Sequence, residues 1–238
     1  MIDARVRLRE SDHVYLHEDG RQFASVSKLR KMVEEPFDAE MVSMRMAKGD
    51  MEKQEAILSE WKAKGDHAMS EGTLCDKAIE RYFATGRDEG SRYSQTAFSV
   101  FNLLQEYKTR YLKKVVWSEE HGVAGEVDIL TMRTKTIGDY WDGKIKVYKG
   151  VQQVSKGNTF MREPLAHLEN CTYNDYAMQL SIYGVLGELC YGIKPGKLTI
   201  IQYYYDRPGE YELIPVNYMK YEAYSLLEAW KKRSNEHF

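Results

Sequence analysis

At 238 residues and 43% hydrophobic side chains, the chain is long enough to bury one substantial core, and its composition is ordinary for a globular protein. Its formal charge of −2 excludes a globally basic nucleic-acid binder, so any such contact would come from a local patch. Three scattered cysteines, Cys75, Cys171 and Cys190, include no CxxC pair; they argue against a disulfide framework or a structural zinc site and for a reducing, intracellular setting.

The N-terminal MIDARVRLRESDHVY has no apolar stretch of signal-peptide length, and no later run approaches the ~20 apolar residues of a membrane span. The expectation is a cytoplasmic chain with no membrane contact. HVYLHEDGRQF (13–23) alternates around Asp19-Gly20, a typical tight-turn dipeptide, and predicts a β-hairpin. Serine at 25 or 27 can cap a helix through KLRKMV, and Pro36 stops it. Its Lys28, Arg30 and Lys31 form a basic cluster suited to tracking a nucleic-acid backbone.

From Asp38 to Gly86 the chain is rich in Ala, Met, Glu and Lys and reads as helices broken near Gly49 and Gly65. A further helix is expected from about Ser94 to Leu112. KVVWSEEHGVAGEVDIL and TKTIGDYWDGKIKVY are strand-like, and Tyr173 to Cys190 returns to helical spacing before Gly192. LTIIQYYYD and YELIPV read as two more strands around Arg207-Pro-Gly-Glu, and VNYMKYEAYSLLEAWKKR as a closing amphipathic helix. The order of elements is that of an α/β or α+β protein.

The segment 125–146, GEVDILTMRTKTIGDYWDGKIK, concentrates four carboxylates (Glu126, Asp128, Asp139, Asp142) and four cations (Arg133, Lys135, Lys144, Lys146). A turn near Thr134-Lys135 would pair the two strands so that Asp128 faces Asp142 and Glu126 faces Lys144. Opposed carboxylates repel unless neutralised, and hard oxygens suit Mg²⁺ or Mn²⁺. A solvated polar hairpin is the competing reading. So is a bulge at Gly138 that would bring Asp139 to the site face. Gln179 and Tyr183, four apart, share one helical face, as do Asp76 and Glu80; core packing and a solvated face are the ordinary explanations for those spacings.

Gly-Thr-x-x-Asp76, Gly125-x-x-Asp128, Asp142-x-Lys144 and Gln179-x-x-x-Tyr183, in that order, resemble the RecB-type branch of the PD-(D/E)XK nuclease superfamily. The chain is similar in particular to phage-encoded exonucleases and to mitochondrial genome maintenance exonuclease. HVYLHEDGRQFASVSKL, PFD (36–38), WKAKGDHAMSEGT and YAMQLSIYGVLGE fit the same layout, so the likeness spans most of the chain.

The resemblance implies a restriction-endonuclease-like α/β core, a central mixed sheet flanked by helices with a helical N-terminal half. All of 1–238 would form one nuclease domain, mainly helical over 1–112 and catalytic over 113–238. It implies a Mg²⁺- or Mn²⁺-dependent deoxyribonuclease with Asp128, Asp142 and the Gly143 carbonyl on the metal and Lys144 orienting the attacking water. Gln179 would support the site, Gln179 and Tyr183 would lie along the DNA, and a recombination or replication protein would be a partner in the cytoplasm, the host's if the gene is phage-borne.

The family usually carries histidine where this chain has Asp76, which could still ligate a hard cation. The acidic residue that normally precedes GxxD aligns near Lys113, with Glu119 and Glu120 closer to the glycine. Relatives with an iron–sulfur cluster need four cysteines, and this chain has three. A structure-selective endonuclease using the same site and a non-catalytic DNA- or protein-binding module stay open as alternatives.

Overall fold

A computed structural model describes residues 5–87, 90–105, 107, 109–135, 138–147, 159–204 and 207–236, with the side chains of 109, 133–141 and 144–147 outside the description. The chain is α/β, with a mixed sheet and six helices among the described residues. It forms two compact units: Met1–Glu35 with Leu103–Gln202 and Tyr211–Phe238, and Pro36–Asn102 with Tyr203–Glu210. Among the described residues no helix is long and apolar enough to cross a membrane.

The first unit opens with β1 (Val6–Arg9), β2 (Val14–His17) and β3 (Gln22–Ser25), successive antiparallel partners. The β2–β3 turn holds Gly20 at φ +89°, a conformation that glycine adopts without steric cost. The expected hairpin is therefore present. α1 (Val26–Val33) starts at Ser25, whose hydroxyl accepts the Lys28 amide at 3.2 Å.

β4 (Thr109–Ser118), β5 (Val123–Lys135) and β6 (Gly138–Val147) are antiparallel in sequence order, and β3 also joins β5 in parallel at Ala24↔Val123 and Ser25↔Ala124. After α5 (Thr172–Tyr191), which ends on the left-handed Gly192, β7 (Lys194–Tyr203) returns parallel to β6. β8 (Tyr211–Val216) lies beside β7, and α6 (Lys220–Asn235) closes the chain. α1, α5 and α6 bury Val26, Leu29, Leu180, Ile182, Leu186, Leu226 and Leu227 with Val123 and Val127 of the sheet, one continuous core. A smaller cluster of Val6, Tyr15, Phe23, Trp117 and Ala124 packs β1–β3 against β4 and β5.

The second unit contains α2 (Ala39–Met46), α3 (Met51–Thr85) and most of α4 (Ser94–Leu103). The chain breaks at Gly49, φ +84°, as expected, but α3 runs unbroken through Gly65 for 35 residues. One interior glycine costs only ~1 kcal/mol relative to alanine, and the good helix formers around it carry the helix across. Tyr82, Phe83, Phe98 and Phe101 join α3 to α4 edge-to-face. α4 stops at Leu103 instead of Leu112, because Thr109–Leu112 pair with Ile129–Met132. A long-range strand partner outweighs a local helical preference there.

Candidate functional site

The charged hairpin exists, but in a different register from the expected one. Asp142 pairs with Thr131 and Lys144 with Ile129, because Thr134 and Lys135 continue the strand and pair with Asp139 and Gly138. The expected facing of Asp128 with Asp142, and of Glu126 with Lys144, is thereby corrected. Gly138 pairs directly with Lys135 and makes no bulge; Asp139 pairs with Thr134, and its side chain lies outside the description. The irregularity sits instead between Trp141 and Gly143 on the β7 side.

Asp128 stands where β5 changes partners. On one side, β3 pairs with Val123 and Ala124, and β6 takes over only from Ile129 onward. On the other side, the β4 ladder passes from Leu112↔Ile129 to Lys114↔Val127, stepping over Asp128 and Lys113, whose φ is +50°. The register is the same on both sides of this gap, so no residue is inserted there. Asp128 and Glu126 are half-buried.

Gly125 fixes how closely the helices approach this strand. A Cβ there would lie 2.5 Å from Tyr183 Cε1 and 2.7 Å from Val26 Cγ2, so only glycine admits α5 and α1 at this distance. Tyr183 is buried, 5% exposed, and its hydroxyl accepts a hydrogen bond from Gln179 Nε2 at 2.9 Å. Gln179 Oε1 in turn accepts from Arg30 Nη1 at 2.7 Å, and Arg30 Nε donates to Asp175 Oδ1 at 2.6 Å, with Nη2 on Oδ2. Asp175, Gln179 and Tyr183 recur every fourth residue of α5, a polar stripe clamped by one arginine of α1.

Burial pushes the Tyr183 phenol upward; the Gln179 bond opposes this, and the charge of Asp128 adds to it. Tyr15 is pushed up by burial first and then by its neighbours Tyr183, Glu126 and Asp128. Both carboxylates of β5 thus lie within electrostatic range of both rings. Burial works against the Arg30 charge, but Asp175 and then Glu34 outweigh it and hold the guanidinium above its usual value. Burial, followed by the charge of Asp175, raises the Glu34 carboxyl.

Asp142 is fully buried; its Oδ1 accepts the Lys197 backbone amide at 2.8 Å, and its Oδ2 lies 3.4 Å from the Tyr107 hydroxyl. It ties β6 to the start of β7 at the point where their register shifts. Gly143 is buried between Leu130 and Leu198, its partners in the two flanking strands. The Lys144 side chain lies outside the description. Asp76 is half-buried on α3, in the second unit.

These donors can be tested against a hard divalent cation, which needs oxygens at ~2.0–2.6 Å. Asp142 is paired three residues beyond Asp128, ~10 Å along the strand at 3.3–3.4 Å per residue, and it already accepts a backbone amide. The two aspartates therefore do not converge on one ion in this arrangement. Among the described residues the three ligating groups drawn within 4.8 Å are Glu120, His121 and Glu228. There the buried His121 bridges Ser118 Oγ at 2.7 Å and Glu228 Oε1 at 3.0 Å, which accounts for the cluster without a metal.

Sequence reasoning missed Arg30 as the clamp, Asp175 as its partner and Tyr15 as the second ring near Asp128. The Asp175–Gln179–Tyr183 spacing was the available signal for the first two.

No protein-family model and no curated protein sequence matches this chain. Among solved structures it is similar to the crystal structure of SSO0001, with 14% identity, 71% of this chain and 87% of that chain covered, and a TM-score of 0.31.

Proposed function

We propose that this chain is a deoxyribonuclease of the PD-(D/E)XK type, RecB branch, hydrolysing DNA phosphodiester bonds as an exonuclease in phage-type recombination, repair or processing. The supporting observation is the strand pair that carries both short motifs: it lies inside a mixed α/β sheet, and β5 changes partners at Asp128, one residue from the rung of Lys144. In this reading Asp128 orients the attacking water and Lys144 supplies positive charge beside the scissile phosphate. Gln179 and the buried Tyr183 act through position, holding α5 against Gly125, and do not touch the substrate. Mg²⁺ or Mn²⁺ dependence comes with the resemblance alone, since Asp128 and Asp142 do not converge.

A second reading has an observation of its own. The burial of Asp142 and its bond to the Lys197 amide are what a binding module on a non-catalytic nuclease fold would retain.

End-labelled linear, nicked and closed circular DNA, incubated with Mg²⁺ or Mn²⁺, separates the readings. Loss of linear DNA with intact circles, abolished in Asp128→Asn and Lys144→Ala, is the expected result. Cut circles would make it an endonuclease, and no cleavage with either metal leaves the binding module.

A further inference from the structure

The basic cluster of α1 is divided in the folded chain. Arg30 turns inward to Asp175 and Gln179, whereas Lys28 and Lys31 remain exposed on the outer side of the helix. α6 brings Trp230, Arg233 and Ser234 beside them from the far end of the sequence, and with Met32 these residues line a groove of about 360 Å³. Lys28 Nζ sits over the Trp230 indole, 5.2 Å from its centroid. Of the nearby carboxylates, Glu35 pairs with Arg162 and Glu228 with His121, while Glu34 pairs with Arg30 and also lies within electrostatic range of Lys31. Lys231 is held by Glu120 at 2.8 Å. Among the described residues Lys28, Lys31 and Arg233 form no ion pair.

We propose that this α1–α6 groove binds a single-stranded polynucleotide, with phosphates on Lys28, Lys31 and Arg233 and one base stacked on Trp230. Cations around an aromatic face are how sequence-tolerant single-strand sites are built, because every base has a π-face and every nucleotide a charge. Lys28 supplies the exchange: it caps the indole in the free protein, moves to a phosphate on binding, and leaves the ring to a base. A duplex keeps its bases stacked away from a lone indole. A lipid surface would find little apolar area here beyond Trp230 and Met32. The inference rests on the proposed nuclease reading only for the choice of a polynucleotide among polyanions.

The test uses the full chain with EDTA, so that cleavage does not intervene, and follows the anisotropy of a labelled oligo-dT at low and moderate salt. Replacing Lys28, Lys31 and Arg233 by alanine together is expected to weaken binding on the order of 100-fold. It should also reduce the salt slope by about 2, roughly 0.7 for each cation removed. Trp230→Ala should cost roughly 5- to 100-fold while Trp230→Phe keeps most of the affinity, a contrast that a folding defect would not produce.

Unchanged affinity and slope in the triple variant overturn the proposal. So does duplex bound as tightly as oligo-dT, or binding to phosphatidylserine vesicles with none to oligo-dT. Groove-dependent binding in a protein that cleaves with neither metal upholds this inference and sinks the nuclease reading; cleavage with groove-independent binding does the reverse.

Discussion

Replacing Gly125 by alanine adds one methyl group at the point where β5 meets both α1 and α5. The new Cβ would fall 2.5 Å from Tyr183 and 2.7 Å from Val26, both below any normal carbon–carbon contact. Neither neighbour yields easily: Val26 is 1% exposed, and Tyr183 is anchored through Gln179 to Arg30. Overpacking of this kind costs about 1–3 kcal/mol, and two clashes with held groups place this one near the top, ~3 kcal/mol. At roughly 2–4 °C per kcal/mol for a chain of this size, Tm should fall by about 6–12 °C. Gly65→Ala is the control. Nothing lies within 4 Å of a Cβ there, in the middle of α3, so the same substitution should raise stability by up to ~1 kcal/mol. Thermal unfolding followed by circular dichroism reads both variants. A Gly125→Ala protein melting within a degree of the parent would refute the close-approach argument.

Arg30→Met removes the clamp and leaves Asp175, 21% exposed, without its strongest partner; a loss of ~2–4 kcal/mol is expected, partly recovered in the Arg30→Met/Asp175→Asn double variant by denaturant titration. Asp142→Ala orphans the Lys197 amide and should cost ~1–3 kcal/mol, whereas Asp142→Asn keeps an acceptor and should melt near the parent; equal stability of the two would show that the carboxylate does not anchor β7. Glu34 has its folded-state pKa raised, chiefly by burial and then by Asp175, so its contribution is full below the unfolded value of ~4.3 and is lost as pH rises through the folded value. Glu34→Gln should therefore raise Tm at neutral pH, with the gain closing toward pH ~4; a gain independent of pH would contradict this cause.

Local signals in the sequence were accurate where the chain decides its own conformation. Asp19-Gly20 marked the hairpin, Ser25 the start of α1, and Gly192 the end of α5. What failed depended on distant partners. Thr109–Leu112 ends a stretch of helical composition but supplies the start of β4 because β5 is there to pair with it. Arg133-Thr-Lys-Thr136 contains no strong turn dipeptide, so the register of β5 with β6, and with it the position of Asp142 relative to Asp128, was set by packing. Arg30 looked like part of a basic surface, but its carboxylate partner lies 145 residues away. The short motifs identified the strands that carry the candidate residues without fixing which residues meet.

The length of α3 has a consequence for how the second unit opens. Thirty-five residues at 1.5 Å per residue make a rod of ~52 Å, yet its buried side chains are Glu71, Cys75 and Ile79, all in its C-terminal half. The N-terminal twenty residues rely on helix propensity and on contacts with α2 such as Gln54 with Glu40 and Ser43. Propensity alone leaves a helix of that length marginal in water. Amide hydrogen exchange along α3 should therefore form a gradient, rapid before about Ser70 and slow through Cys75–Ile79, in a helix whose hydrogen-bond ladder is continuous but whose stability is not.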